Sequence, residues 1–351
     1  MSAASNRSPS TDGLGVTGVV AIGRNEGDRL RRCLASLPRG VGAAVYVDSG
    51  STDGSRELAQ SMGVDVVELD LSVPFTAARA RNSGIRRLRE HAGTIEFVHV
   101  LDGDCEMEPG WLGRALTEMA SADDIAVVCG RRRERDPGAS VYNFLCDVDW
   151  EAPAGDARAC GGDALLRLRA IDEIGGYNPA LIAGEEPEMC FRLRAKGWRI
   201  RQLADTMTWH DAAMTRFDQW WKRCVRAGHA AAEGFWLHGR SPERYNMHRC
   251  RSIVLWGAAL PSAATAASVI WFPWGLAAFL VFPVQALRLF ARERRARDAR
   301  SAAIVAGALV IDKFAQIQGL LLFAWRRFSG REATLIEYKG DEAHGKGAIS
   351  R

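Results

Sequence analysis

The sequence predicts an α/β protein, a mostly parallel and helix-covered sheet, followed by an apolar helical C-terminal region. Three observations predict it. Short apolar runs alternate with stretches of helical periodicity as far as Leu203, the pattern of a sheet wrapped by helices. Each of the first strands ends in polar, Gly-rich or acidic residues, and ligands of such sheets bind beyond the carboxyl ends of the strands. From Ile253 to Leu287 there are 35 residues without a charge.

The apolar run Val16 to Ile22 reads as a buried strand, and Asp28 to Leu37 carries apolar residues at helical spacing. The unit repeats with a strand at Ala43 to Val47, a helix at Ser55 to Met62, a strand at Val64 to Leu69, a helix at Ala77 to Glu90 and a strand at Ile95 to Leu101. Asp123 to Cys129 is expected as a strand, Asp163 to Ile174 as a helix, Met189 to Lys196 as a helix, and Trp198 to Leu203 as the last strand.

The composition excludes several classes. Hydrophobic residues at 47% and charged residues at 25% are globular averages, so disorder is not the dominant state. A net charge of +4 over 351 residues gives no footprint for nucleic acid. The eight cysteines form no C-x-x-C pair, and buried thiols in a reducing compartment are the expectation. Residues 1–14 lack the apolar stretch of a signal peptide.

A membrane helix needs about 20 apolar residues, so the uncharged run exceeds one pass and approaches two. The break falls at Phe272-Pro-Trp-Gly275, giving Ile253 to Phe272 outward and Pro273 to Leu287 back. Arg249 and Arg251 flank one end; Arg288, Arg292, Arg294, Arg295, Arg297 and Arg300 flank the other. A two-pass hairpin puts both basic flanks on the cytoplasmic side. Ala302 to Trp325 is apolar but contains Asp312 and Lys313, and reads as an interfacial amphipathic helix, with a spanning helix as the alternative. Arg216 to Arg226 mixes aromatics and cations on a helix suited to a membrane surface.

Two acidic motifs end strands. Asp102 and Asp104, one residue apart with Gly103 between them, suit a divalent cation such as magnesium or manganese whose shell is completed by phosphates. The other D-x-D triplet, Asp147-Val-Asp149, is placed in an irregular stretch. In Val47-Asp-Ser-Gly-Ser-Thr-Asp-Gly-Ser55, Asp48 is placed to accept hydrogen bonds from a nucleobase or ribose, while Asp53 suits a helix cap. Gly13-Leu-Gly15-Val-Thr-Gly18 spells a dinucleotide-binding pattern but precedes the first strand, where the pattern has no mechanism.

Seven segments in order resemble glycosyltransferase family 2, inverting enzymes of the GT-A fold that use nucleotide-sugar donors. They are Val20-Ala-Ile-Gly-Arg-Asn-Glu26, the Asp48 motif, Ala80-Arg-Asn-Ser-Gly84, Leu101-Asp-Gly-Asp104, Cys160-Gly-Gly-Asp163, Gly175-Gly-Tyr177, and Gly184-Glu-Glu-Pro-Glu188 running into Arg192-Leu-Arg194. The resemblance implies roles. Ile22, Arg24 and Glu26 would line the base pocket with Asp48; Arg81 would reach the diphosphate, and Asn82 would hold that loop. Asp102 and Asp104 would hold the metal, with His210 completing its shell, and Gly162 and Asp163 would shape the sugar and acceptor site. Where the family commonly has Glu-Asp this chain has Glu185-Glu186; Glu186 is the favoured base, with Glu185 and Glu188 left open. Gln219-Trp-Trp-Lys-Arg223 does not match the Q-x-x-R-W element of processive synthases.

The expected protein is therefore a metal-dependent glycosyltransferase on the cytoplasmic face of the plasma membrane, of a bacterial membrane-associated type. It would move sugar from a nucleotide donor to a hydroxyl of a lipid-linked or saccharide acceptor, in surface polysaccharide or glycolipid assembly. A polyprenol-phosphate sugar synthase is the alternative, and a non-catalytic nucleotide-sugar-sensing subunit the third. The expected division is a disordered tail at 1–14, a GT-A domain at 15–240, a membrane hairpin with amphipathic helix at 241–330, and a polar tail at 331–351.

Overall fold

The computed structural model describes residues 13–91 and 94–330; the polar tail expected at 331–351, and all but Gly13 and Leu14 of the tail expected at 1–14, lie outside the described residues. The chain divides into two compact units, Met1–Pro137 with Cys146–Ala212, and Gly138–Leu145 with Ala213–Arg351.

The first unit begins β1 (Thr17–Gly23), α1 (Asp28–Ala35), β2 (Ala43–Asp48), α2 (Ser55–Ser61), β3 (Asp65–Glu68), α3 (Ala77–His91) and β4 (Phe97–Asp102). It continues β5 (Cys105–Met107), α4 (Trp111–Met119), β6 (Ile125–Glu134), α5 (Val141–Asp149, crossing the unit boundary), β7 (Gly155–Ala157), β8 (Ala164–Arg167), α6 (Leu168–Glu173), α7 (Glu185–Ala195) and β9 (Arg199–His210). Among the described residues these strands make one sheet, ordered β3-β2-β1-β4-β8-β6-β9-β5, with β7 on β9. The β3-β2-β1-β4 half is parallel. β8 runs antiparallel to both of its neighbours, so the sheet is mixed. Val19, Val20 and Ala21 of β1 and Val98, Val100 and Leu101 of β4 are all buried, as expected where helices cover both faces.

Three expectations are corrected. Residues 164–167 form strand β8, and only Leu168–Glu173 is helical. Ala164, Leu165, Leu166 and Arg167 are all buried, and a run apolar on both faces carries no period that separates strand from helix. The last strand runs on to His210, because β9 continues past polar Asp205 through irregularities in its pairing with β6. Asp147 lies in helix α5, where its Oδ1 accepts the Glu134 N–H at 2.9 Å and an Arg133 N–H at 3.1 Å. Gly18 of the G-x-G-x-x-G pattern lies inside β1, with no helix for it to open.

The second unit contains α8 (Phe217–His238), α9 (Met247–Val254), α10 (Leu260–Ile270), α11 (Val281–Glu293) and α12 (Ala299–Ser329). A π-helical turn at Leu255–Ala259 joins α9 to α10, and a 3₁₀ segment at Trp274–Leu280 precedes α11. The chain reverses between Ile270 and Trp274, where the break was expected. Met247–Ile270, Trp274–Glu293 and Ala299–Ser329 are each long and apolar enough to cross a membrane, by length and composition. Val269, Ile270, Phe272 and Trp274 around the reversal are exposed, Trp274 to 84%. Apolar surface of this kind marks a contact with lipid or another apolar partner.

Candidate active site

The carboxyl ends of β1, β2 and β4 are brought level by their register, in which Ile22 pairs with Asp102 and Gly23 with Asp48. Asp48 is buried and turns inward on its own loop, accepting the N–H groups of Gly50 and Ser51 at 2.9 Å and the Tyr46 hydroxyl at 3.2 Å. It therefore holds the loop that follows β2. Ile22 is buried beneath this edge, Arg24 is exposed, and Glu26 lies between, paired with Arg29 at 3.0 Å. Asp53 accepts the Ser55 N–H at 3.0 Å at the start of α2, a structural role.

Arg81, projecting from α3, is the centre of the cluster. Its side chain is 2% exposed and reaches Asp102 Oδ1 at 2.9 Å, Glu185 Oε1 at 2.9 Å and Glu186 Oε1 at 2.8 Å. Arg132, on β6, takes the other Asp102 oxygen at 3.0 Å and Asp163 at 2.7 Å. Asp163 is fully buried and accepts the Asp102 N–H at 3.0 Å and the Thr208 hydroxyl at 2.6 Å. A Cβ on Gly162 would lie 2.6 Å from Asp102 Oδ2, 2.9 Å from Arg81 Nη2 and 3.0 Å from Arg132 Nη2. A side chain at this position would have to displace one of these three charged groups. Asn82 exchanges hydrogen bonds with the Tyr177 backbone at 2.8 and 3.0 Å, pinning the Gly175-Gly176 turn.

The three glutamates of α7 separate. Glu188 is buried in a two-pronged pair with Arg192 at 2.9 Å, and Arg192 also caps the carbonyls of Ile174 and Gly176. Glu185 is 3% exposed, whereas Glu186 is 14% exposed and in reach of solvent. Burial, followed by the neighbouring Glu185 charge, pushes the Glu186 carboxyl up to about 7 against the pull of Arg81.

Asp104 belongs to an adjoining group that shares Cys105 with Asp102 and Asp163. The pairing of β9 with β5 and β6 sets His210 beside Cys105 and Glu134. His210 Nε2 lies 3.3 Å from Asp104 Oδ2, and Nδ1 lies 3.1 Å from Glu134 Oε2. Burial holds the imidazole below its ordinary pKa, hence neutral and able to ligate. Asp104, Cys105 and His210 bring ligand atoms within 4.8 Å of one another. A carboxylate oxygen and a neutral imidazole, both buried, fit a divalent cation that completes its shell with phosphate oxygens.

The structure thus gathers Arg81, Asp102, Gly162, Asp163, Glu185 and Glu186 into one cluster, and Asp104 with His210 into a second. Arg132, Glu134, Trp150 and Thr208 were not foreseen. The Trp150 ring lies under the Arg132 guanidinium at 5.3 Å and edge-on to His210 at 4.7 Å. The run Arg131-Arg-Arg-Glu134 shows no apolar alternation, and its role follows only once β6 is seen to lie beside β9.

Residues 19–146 match the family model described as Glycosyl transferase family 2. The chain is 22% identical over 245 residues to the glycosyltransferase AglE of Haloferax volcanii, covering 66% of this chain and 76% of that one. It is 27% identical over 228 residues to the pre-mycofactocin glycosyltransferase of Mycobacterium tuberculosis, covering 62% of this chain but only 47% of that protein. Among solved structures it resembles the mannosyltransferase PcManGT from Pyrobaculum calidifontis in complex with GDP-Man and Mn2+, at 17% identity and a TM-score of 0.54, covering 89% and 87% of the two chains. That likeness bears on the fold, which is GT-A. Residues 19–146 are thus similar to glycosyltransferase family 2, and the sheet that carries the site has the GT-A fold.

Proposed function

We propose that this glycosyltransferase moves a sugar, with inversion, from a nucleotide-sugar donor to a hydroxyl of a lipid-linked acceptor, using a divalent cation held by Asp104 and His210. The observation that carries the proposal is the Arg81 bridge: one buried guanidinium contacts both Asp102, at the donor end, and Glu186, the carboxylate poised as base. The acceptor oxygen attacks the anomeric carbon as Glu186 takes its proton. The bond from that carbon to the diphosphate breaks, and the electron pair leaves on the phosphate oxygen. Arg81 lies where it can meet the charge developing on that oxygen, the electrostatic contribution such displacements depend on. The cation, when bound, supplies further neutralisation of the leaving diphosphate. Asp102 and Asp163 hold Arg81 and Arg132 in place, and Asp48 orders the base-side loop.

The exposed apolar hairpin supports attachment to the plasma membrane from its cytoplasmic face, with α9–α10 and α11 as two passes. A lipid-linked acceptor in surface polysaccharide or glycolipid assembly suits such an enzyme. The test is nucleotide release from a panel of nucleotide sugars with manganese or magnesium, run on the wild type, Asp104→Asn and Glu186→Gln. Transfer that survives Glu186→Gln would move the assignment to a polyprenol-phosphate sugar synthase, because a phosphate nucleophile needs no base. If no donor is consumed by the wild type, the enzymatic proposal fails.

A further inference from the structure

We infer that α12, although long and apolar enough to cross a bilayer, does not cross it: it lies with α8 at the membrane surface, so the chain leaves the lipid on the side from which it entered. The inference rests on membrane attachment through the hairpin and adds its topology.

The first observation is packing. α12 meets α8 backbone to backbone. A Cβ on Gly319 would lie 1.9 Å from the Val225 carbonyl oxygen, and one on Gly228 would lie 2.0 Å from that of Gln316. Along the same contact, Trp221 Nε1 donates to Gln318 Oε1 at 2.9 Å, the Phe323 ring meets His229 edge-on at 5.4 Å, and the Arg327 guanidinium covers Trp236 at 5.1 Å. Wherever α12 lies, α8 lies too. Yet α8 carries Asp218, Lys222, Arg223, Arg226 and Glu233. Drawing those charges into hydrocarbon is costly, and α8 is not among the helices apolar enough to span. The middle of α12 is polar as well: Gln316 bridges Asp312 at 2.8 Å and Lys313 at 3.0 Å.

The second observation is independent and concerns charge. Arg288, Arg292, Arg294, Arg295, Arg297 and Arg300 stand at or before the N-terminal end of α12, and Arg326 and Arg327 stand at its C-terminal end. Basic flanks stay on the cytoplasmic side, and a single crossing cannot keep both there. A helix lying flat satisfies both ends, with its arginines at anionic headgroups. Exposed Trp236, Trp325 and Phe328 surround the Arg327 contact, the mixture of rings and cations that settles at headgroup level.

The experiment uses the full chain in bacterial membranes. A cysteine is introduced by Ser329→Cys; the eight native thiols are buried. Labelling with a membrane-impermeant maleimide is compared in inside-out and right-side-out vesicles after a carbonate wash. The inference expects labelling at least tenfold stronger in inside-out vesicles. A fluorescent protein fused after Arg351 should fold and fluoresce, whereas alkaline phosphatase fused there should be inactive. Preferential labelling of right-side-out vesicles, with active phosphatase, would overturn the topology and leave membrane attachment intact. Loss of the protein from carbonate-washed membranes would instead overturn the attachment itself.

Discussion

Glu134 Oε2 lies 3.1 Å from His210 Nδ1, and this one contact decides which nitrogen the imidazole presents to Asp104. Glu134 is 1% exposed and is itself anchored by the Ala212 N–H at 3.1 Å, so the ring has little freedom to turn. With Nδ1–H donated to the carboxylate, Nε2 is left to ligate the proposed cation. Carboxylates behind ligating histidines commonly sustain metal affinity by about 10–100-fold. Glu134→Ala is expected to weaken manganese binding by about that factor, read by electron paramagnetic resonance titration, and Glu134→Gln to recover part of it. Equal affinities in wild type and Glu134→Ala would remove this role.

As the proposed base, Glu186 must be deprotonated to accept the acceptor's proton. Its carboxyl is pushed up to about 7, first by burial and then by Glu185, with Arg81 opposing and Asp102 adding to the rise. Transfer should therefore rise with pH through about 7 and level off above it. Glu186→Gln should reduce kcat by about 10²–10⁴-fold, the usual contribution of a positioned base, while the donor dissociation constant changes little. A flat pH profile across this range in the wild type would speak against Glu186.

Gly162 faces three charged side chains that a methyl group would strike. Gly162→Ala should displace Asp102 or the arginines and lower kcat/KM by more than tenfold. The fold should survive, because the crowding falls on side-chain ends rather than on backbone. Circular dichroism with steady-state kinetics separates the two effects.

In the second unit the crowding falls on backbone. Gly319→Val would force its Cβ against the Val225 carbonyl and part α12 from α8. Overpacking of this kind costs about 1–3 kcal/mol. A lower melting temperature in detergent is expected, with donor hydrolysis little changed, since Gly319 and the proposed catalytic residues belong to different compact units. An unchanged melting temperature would mean the two helices are not in contact.

Much of this is legible in the amino-acid sequence. The alternation of apolar runs with helical spacing located β1 to β4 and α1 to α3 within a few residues, because these elements are buried on both faces or on one stripe. Proximity between distant strands was not legible. Nothing local says that Arg132 will lie against Asp102, 30 positions away, or that Glu134 will lie against His210, 76 positions away. The first contact comes from β8 inserting between β4 and β6, where the sequence suggests a helix, and the second from β9 pairing with β6. The arginine-flanked uncharged run announced an apolar hairpin, whereas the docking of α12 on α8 rests on two glycines whose partners are peptide carbonyls, which no side-chain pattern reveals.

The cluster around Arg81 has a kinetic consequence. Asp102, Asp163, Glu185 and Glu186 share two guanidiniums, and Asp104 and Glu134 lie close by. An anionic diphosphate approaching alone would meet a site already rich in negative charge. On the proposed function, cation and nucleotide are expected to enter as a pair, or cation first, with the spent nucleotide departing with its cation. Product inhibition by the free nucleoside diphosphate should then deepen as the cation concentration rises.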